Sequence, residues 1–278
     1  MNERLTDVDF SNDIESKELP SYQLTVVMHR HGPKVGVAGP LTGEGRERSQ
    51  EVFDDAYAGI ASDTDEGVDV VYSDLHLVDP NAKRAKETAD VAMASMRQRG
   101  EKVRSVTTDE RLSEGQMSKH EAFIESLGGR SGKYLKGWME LEQSPIKGVK
   151  TGKETAAGVA EWMLEKIIDL QQRGRTQEIE AFSHGPVLAA FLLRLEELTG
   201  QSILPDNWME LSPMRSHLDF LRSFNFFTDS KNPESFSVNF SGKKITASLD
   251  VLREMAGQEA EVEIIQPRPL ASGAEATV

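Results

Sequence analysis

The chain has no cysteine, which excludes disulfides, a thiolate nucleophile and Cys-ligated zinc. Basic residues are scarce: 32 Lys and Arg face 46 Asp and Glu, a formal charge of −14. That balance repels the phosphate backbone of DNA or RNA, so no nucleic-acid partner is expected. No apolar run reaches the roughly 18 residues that read as a membrane span. Met1-Asn2-Glu3-Arg4-Leu5-Thr6-Asp7 also lacks the basic-then-apolar order of a secretory signal. A cytoplasmic protein with no membrane partner is therefore the expectation. Repeats and Ser/Gly-rich or Pro-rich linkers are missing as well, which favours one domain carrying an insertion over two domains.

With 278 residues, 38% of them hydrophobic, plus 22 glycines, the chain has the composition of an ordinary globular protein. A chain of this length buries about 75% of its unfolded surface and needs no covalent staple. Residues 1–20 are polar and acidic and 257–278 are Glu, Ala, Pro and Gly with little apolar periodicity; both read as tails. The folded part is expected over 21–256, with a helical insertion over about 118–150.

Tyr22–Met28 is a β-branched run ending near Gly32-Pro33, which suits a buried strand. Val52, Phe53, Ala56, Tyr57 and Ile60 then recur at helical spacing, with Thr42 as an N-cap upstream. Val68–Ser73 predicts a second strand. Asp79-Pro80 offers a cap for a helix with Ala82, Ala85, Ala89, Ala92, Met93 and Met96 on one face. Val103–Thr107 predicts a third strand. Residues 118–174 are expected to be mostly helical, ending in Gly152–Leu170 with a stripe of Val159, Met163, Ile167 and Leu170. Ile179–Ser183 predicts a strand and Pro186–Leu198 a helix stopped by Gly200. Phe224–Phe227, Phe236–Phe240 and Ile245–Leu249 predict short late strands. The pattern implies an α/β fold: a mostly parallel central sheet with helices on both faces, an antiparallel edge and a helical cap insertion.

Two of the predicted strands end alike, in His31-Gly32-Pro33 and His184-Gly185-Pro186. Ligands of open α/β sheets bind beyond the carboxyl ends of the strands, so the two histidines can share one crevice. Pro186 also opens a helix whose first amides favour an anion. Taken singly, either histidine reads equally as a satisfied polar group beside a strand.

Arg30-His31-Gly32, Leu41-Thr42-x-x-Gly45-Arg46-x-Arg48, Arg84-x-x-Glu87-Thr88-Ala89, Leu112-x-Glu114 and Ser183-His184-Gly185 occur in this order. The set resembles the histidine phosphatase superfamily, in its phosphoglycerate mutase-like branch, over about residues 23–190. The resemblance implies that His31 is a nucleophile that becomes phosphorylated. It also implies that Arg30, Arg84 and His184 bind phosphoryl oxygens, that Glu114 is the general acid, and that no metal or cofactor is needed. The substrate would be a small phosphorylated molecule.

These residue types suit that chemistry. A neutral imidazole is nucleophilic near pH 7. The transferred phosphoryl group carries charge on its equatorial oxygens, which arginine meets with a planar, permanently charged fork. A carboxyl can protonate the leaving alkoxide if its environment tunes its pKa.

Plainer readings stand beside these. Arg84, among Lys83, Lys86 and Glu87, reads as a surface arginine; Glu110 competes with Glu114 as the acid; Thr42 reads as a cap and Arg46 and Arg48 as surface charges. Ser73 and Arg84 are eleven residues apart, which implies an insertion of about seven residues relative to the family's spacing, absorbed in a loop. Pro33-Lys34-Val35 stands where the mutases resemble one another in carrying Ser and then Asn.

That difference favours a phosphatase acting through phosphohistidine on His31 over a phosphoglycerate-type mutase. A catalytically inactive phospho-ligand binding or scaffold protein is a further alternative. His29-x-His31 also matches how some metallohydrolases present two ligands, with His76, His120, His184 and His217 as the remaining imidazoles. Trp138, Tyr134 and Lys136 of the insertion are candidates for touching substrate.

Overall fold

A computed structural model describes residues 22–31, 40–57, 67–73, 83–115, 119, 123, 132–205 and 223–258. Its centre is a seven-stranded sheet in the order β3-β2-β4-β1-β5-β6-β7. The strands are β1 (Gln23–Arg30), β2 (Val68–Tyr72), β3 (Val103–Thr108), β4 (Gln177–Ser183), β5 (Ser223–Asp229), β6 (Ser235–Phe240) and β7 (Lys243–Ser248). β3, β2, β4 and β1 run parallel, whereas β5, β6 and β7 continue the sheet antiparallel. The mostly parallel sheet with an antiparallel edge agrees with the expectation from sequence.

Alternation along the strands divides two apolar cores. Leu24, Val26 and Met28 of β1 and Ile179 and Ala181 of β4 face one side. There they pack under α4 (Gly152–Arg173), α5 (Gly185–Thr199) and α6 (Leu249–Met255). Val70 and Phe182 face the other side, against α1 (Gly43–Ala56) and α2 (Arg84–Gln98). A further helix, α3 (Gly132–Glu140), packs on α4 and α5. Each fully buried large side chain contributes about 1.5–3 kcal/mol of hydrophobic stabilisation.

Local chemistry explains the helix limits. Thr42 Oγ1 accepts from the Gly45 amide at 2.7 Å and caps α1. Thr151 and Glu154 form a reciprocal capping box at the start of α4, with bonds of 2.6 and 3.1 Å. Pro186 sits in the first turn of α5, and Gly200 stops that helix at φ +66°.

Four sequence expectations need correction. Ala56 is exposed, because the buried stripe of α1 runs through Gly45, Ser49 and Phe53 instead. α2 begins at Arg84 with Lys83 in the capping position; Asp79, Pro80 and Ala82 lie outside the described residues, as does Ile60. Leu249 starts α6 rather than ending a strand, since Ser248 turns the chain and Leu249, Leu252 and Met255 form a buried helical stripe. Residues 141–151 are not helical; Trp138 Nε1 donates to the Lys150 carbonyl at 2.9 Å and holds them as an irregular strap. Most of 116–131 and the expected tails, apart from residues 257–258, lie outside the described residues. Among the described residues, no helix is long and apolar enough to cross a membrane.

Candidate active site

Ladder bonds run one residue past the ends of β1 and β2, so that His31 and Ser73 stay in register with β4. The His31 amide donates to the Ser183 carbonyl at 3.0 Å and the Ser73 amide to the Phe182 carbonyl at 2.9 Å. Neighbouring strands lie about 4.8 Å apart, so residues just beyond β1 and β4 must be side by side. The rings of His31 and His184 have centroids 5.2 Å apart, tilted by 60°.

Arg84 comes to the same place from the start of α2. Its Nε donates to Nδ1 of His184 at 3.3 Å, and Ser73 Oγ lies 3.1 Å from His184 Nε2. Arginine can only donate, so Nδ1 is an acceptor and the proton of the ring sits on Nε2, facing Ser73. His31, Arg84 and His184 are 3%, 2% and 1% exposed. The surface-arginine reading of Arg84 is thus overturned: its side chain is buried beside His184.

Arg30 packs on the first residue of α5. A Cβ on Gly185 would stand 2.9 Å from Arg30 Nε and 3.0 Å from Cζ, so only glycine leaves the guanidinium where it is. The N-terminal ends of α2 and α5 both open at this edge of the sheet, so the positive ends of their helix dipoles favour an anion there.

Glu114 reaches the edge on the segment that leads away from β3. Asp109 Oδ1 accepts from the Arg111 amide at 2.9 Å and starts the 3-10 turn Glu110–Leu112. Ser183 Oγ then donates to the Leu112 carbonyl at 2.6 Å, tying this turn to the residue before His184. The Glu114 carbonyl accepts from the Lys150 amide at 3.1 Å. Next to it, Gly115 has φ +92°, and a Cβ there would meet the Gly148 carbonyl oxygen at 2.5 Å. Glu114 is fully buried, whereas Glu110 is exposed. The two carboxylates that compete in the sequence are therefore placed differently.

The remaining motif residues build the frame. Glu87 accepts from the Leu41 amide at 2.7 Å and from Arg46 Nη2 at 2.8 Å, joining α2 to the chain before α1. Arg48 is exposed. Tyr134 and Trp138 are buried and stacked, and Lys136 is exposed beside Glu140.

His29 is also used internally. It stacks on Phe182, meets Phe53 edge-on and bonds Glu180 through Nε2. Tyr57 joins this group, where burial and the Glu180 carboxylate push its phenol far above the ordinary range. The i, i+2 pair of a metallohydrolase is thus not displayed by His29 and His31, and His76, His120 and His217 lie outside the described residues, as does Lys34.

Ser73 and Ser183 are the site residues to which sequence reading assigns no role. Ser73 marks only a strand end there, although its position at the end of a parallel strand next to β4 is the available signal.

No family model and no curated protein matches this sequence. Several solved structures are similar to it in fold. The mycobacterial glucosyl-3-phosphoglycerate phosphatase in complex with VO3 is 18% identical, with 78% of this chain and 97% of that one covered and a TM-score of 0.47. A structure described as mycobacterial hydrolase 2 is 19% identical over 87% of this chain and 99% of that one, at a TM-score of 0.46. The phosphoglycerate mutase of Plasmodium falciparum is 13% identical over 88% and 98%, at a TM-score of 0.33.

Proposed function

We propose that this chain is a phosphatase of the histidine phosphatase type, which hydrolyses a small phosphorylated substrate in the cytoplasm through phosphohistidine on His31. The observation that supports it most is the buried cluster at one sheet edge. There His31 lies 5.2 Å from His184, and Arg84 reaches His184 at 3.3 Å.

In this reading the His31 imidazole attacks phosphorus as the bond from phosphorus to the leaving oxygen breaks. Glu114 gives that oxygen its proton. Water then attacks phosphohistidine, the Glu114 carboxylate takes a proton from it, and the N–P bond breaks to free the imidazole and inorganic phosphate. Arg30, Arg84 and His184 hold the non-bridging oxygens through both steps, at an edge that the dipoles of α2 and α5 make favourable to an anion. The charge that the phosphoryl group develops is met by these cationic and dipolar groups, so the scheme calls for no metal ion. Pro33-Lys34-Val35 in place of the mutase Ser and Asn favours transfer to water over transfer back to a phosphoglycerate.

The test is release of free phosphate from a panel of phosphorylated metabolites and an aryl phosphate, with His31→Ala as control. Turnover that the His31 substitution abolishes is the expected result. Binding of phosphorylated compounds without release beyond the control would make the chain a phospho-ligand binding protein instead.

A further inference from the structure

His31 and His184 lie side by side with ring centroids 5.2 Å apart, and they are 3% and 1% exposed. Burial and position do not tell them apart, yet the proposed chemistry needs one as nucleophile and the other as a donor to the phosphoryl oxygens. What separates them is the way His184 is held.

Arg84 Nε donates to Nδ1 of His184 at 3.3 Å, and Ser73 Oγ lies 3.1 Å from Nε2. A guanidinium only donates, so Nδ1 gives its lone pair to Arg84 and Nε2 carries the proton, which Ser73 Oγ accepts. A ring held in this way presents no lone pair to phosphorus from either nitrogen. Ser73 is itself fixed by the sheet. Its amide donates to the Phe182 carbonyl at 2.9 Å, the preceding Tyr72 pairs with Phe182, and Ser73 is only 2% exposed. The end of β2 thus supplies the acceptor that a buried ring N–H requires, across 111 positions of sequence.

We propose that Ser73 is a positioning residue that, with Arg84, locks His184 in the tautomer with its proton on Nε2, so that His184 remains a donor and attack on phosphorus is left to His31. This role rests on the reading of His31 as the nucleophile. Without the hydroxyl, the buried Nε2 proton loses its acceptor. The tautomer with the proton on Nδ1 then gains population at the expense of the bond to Arg84, and the ring no longer holds one orientation toward the phosphoryl oxygens.

The test compares wild type, Ser73→Ala and Ser73→Thr in protein whose six histidines carry a nitrogen isotope label. The His184 ring signals are identified by their loss in His184→Gln. Nitrogen NMR tells a protonated ring nitrogen from one that bears a lone pair, so it reads the tautomer without turnover. Wild type should show one nitrogen of each kind on His184. In Ser73→Ala the two signals should move toward each other, and kcat/KM on an aryl phosphate should fall about tenfold, as for a buried donor left without its acceptor. Ser73→Thr keeps the hydroxyl and should stay close to wild type in both readouts.

A wild-type His184 with its proton on Nδ1, or on both nitrogens, would overturn this role before any substitution of Ser73. Unmoved His184 signals in Ser73→Ala would overturn it too, and so would signals that move while kcat/KM stays at the wild-type value; in both cases turnover that depends on His31 leaves the proposed function standing. Equal changes in Ser73→Ala and Ser73→Thr would assign the effect to packing rather than to the hydroxyl and likewise overturn it. Absence of turnover in wild type would overturn the proposed function and this role together.

Discussion

A Gly185→Ala substitution places one carbon atom 2.9 Å from Arg30 Nε, 3.0 Å from Cζ and 3.2 Å from Cδ. Relaxed contact needs roughly 3.5–4.0 Å, so the guanidinium must retreat by about 0.5–1 Å. It is the end of a long side chain and can do so without moving the sheet. Gly185 is the first residue of α5 and has no left-handed backbone to lose, so alanine there is neutral or stabilises the helix by up to about 1 kcal/mol.

The cost falls on catalysis. A misplacement near 1 Å of a group that must meet the transferring phosphoryl costs about 100-fold, equivalent to about 2.7 kcal/mol of transition-state stabilisation. Thermal or urea denaturation, run beside kcat/KM on one phosphate ester, reads both quantities from one preparation. Unchanged or raised stability with kcat/KM down about 10- to 100-fold is expected. Turnover within twofold of wild type would refute the claim that Arg30 holds a phosphoryl oxygen from this position, and so would a loss of activity that merely tracks unfolding.

Three other outcomes are expected. Glu114→Gln should lower kcat by about 100- to 10,000-fold on esters with poor leaving groups and by less on activated aryl phosphates; equal losses on both would remove Glu114 from proton transfer. Arg84→Lys should cost much of the same activity as Arg84→Ala in a phosphate-release assay, because lysine offers neither the fork nor the Nε bond to His184; full activity in the lysine variant would contradict this. Arg104→Met should destabilise the fold at pH 7 by about 1.5 kcal/mol, since it leaves Asp69 with Ser105 but without its guanidinium partner. Burial alone would raise the pKa of Asp69, but bonds from Arg104 and Ser105 outweigh it and lower it. The Arg104 contribution is therefore present above the unfolded value of about 3.9 and fades as pH falls through the lower folded value. Urea titrations at pH 7 and pH 3 that showed the same difference between variant and wild type would contradict this.

The strand pattern and the strand-end histidines are legible in the sequence because they rest on local signals. β1 and β4 each carry a short apolar stretch, Leu24–Met28 and Ile179–Phe182, that ends near His-Gly-Pro, and in β4 alternation sends Ile179 and Ala181 to one core and Phe182 to the other. The neighbour relation of β1, β4 and β2 is not local. It arises from crossovers through α1, α2 and the long insertion, and it alone sets Ser73 against His184. Arg84 looks superficial in sequence because its neighbours are charged; only the docking of α2 on the sheet turns its first residue inward. Glu114 and Glu110 are indistinguishable in composition. They separate because Ser183 clamps the Leu112 carbonyl, a contact across 71 positions of sequence. Leu249 is misread because the last apolar run is too short to show whether its period is two or 3.6.

Mapping the phosphoenzyme tests the central claim most directly. Wild-type protein turning over a phosphate ester is quenched in alkali, digested and sequenced by mass spectrometry. One phosphoryl group on His31, chased away by unlabelled substrate at the rate of turnover, is the predicted result. Phosphate on His184 or Ser73 instead, or sustained turnover with no phosphorylated peptide at any point, would contradict it.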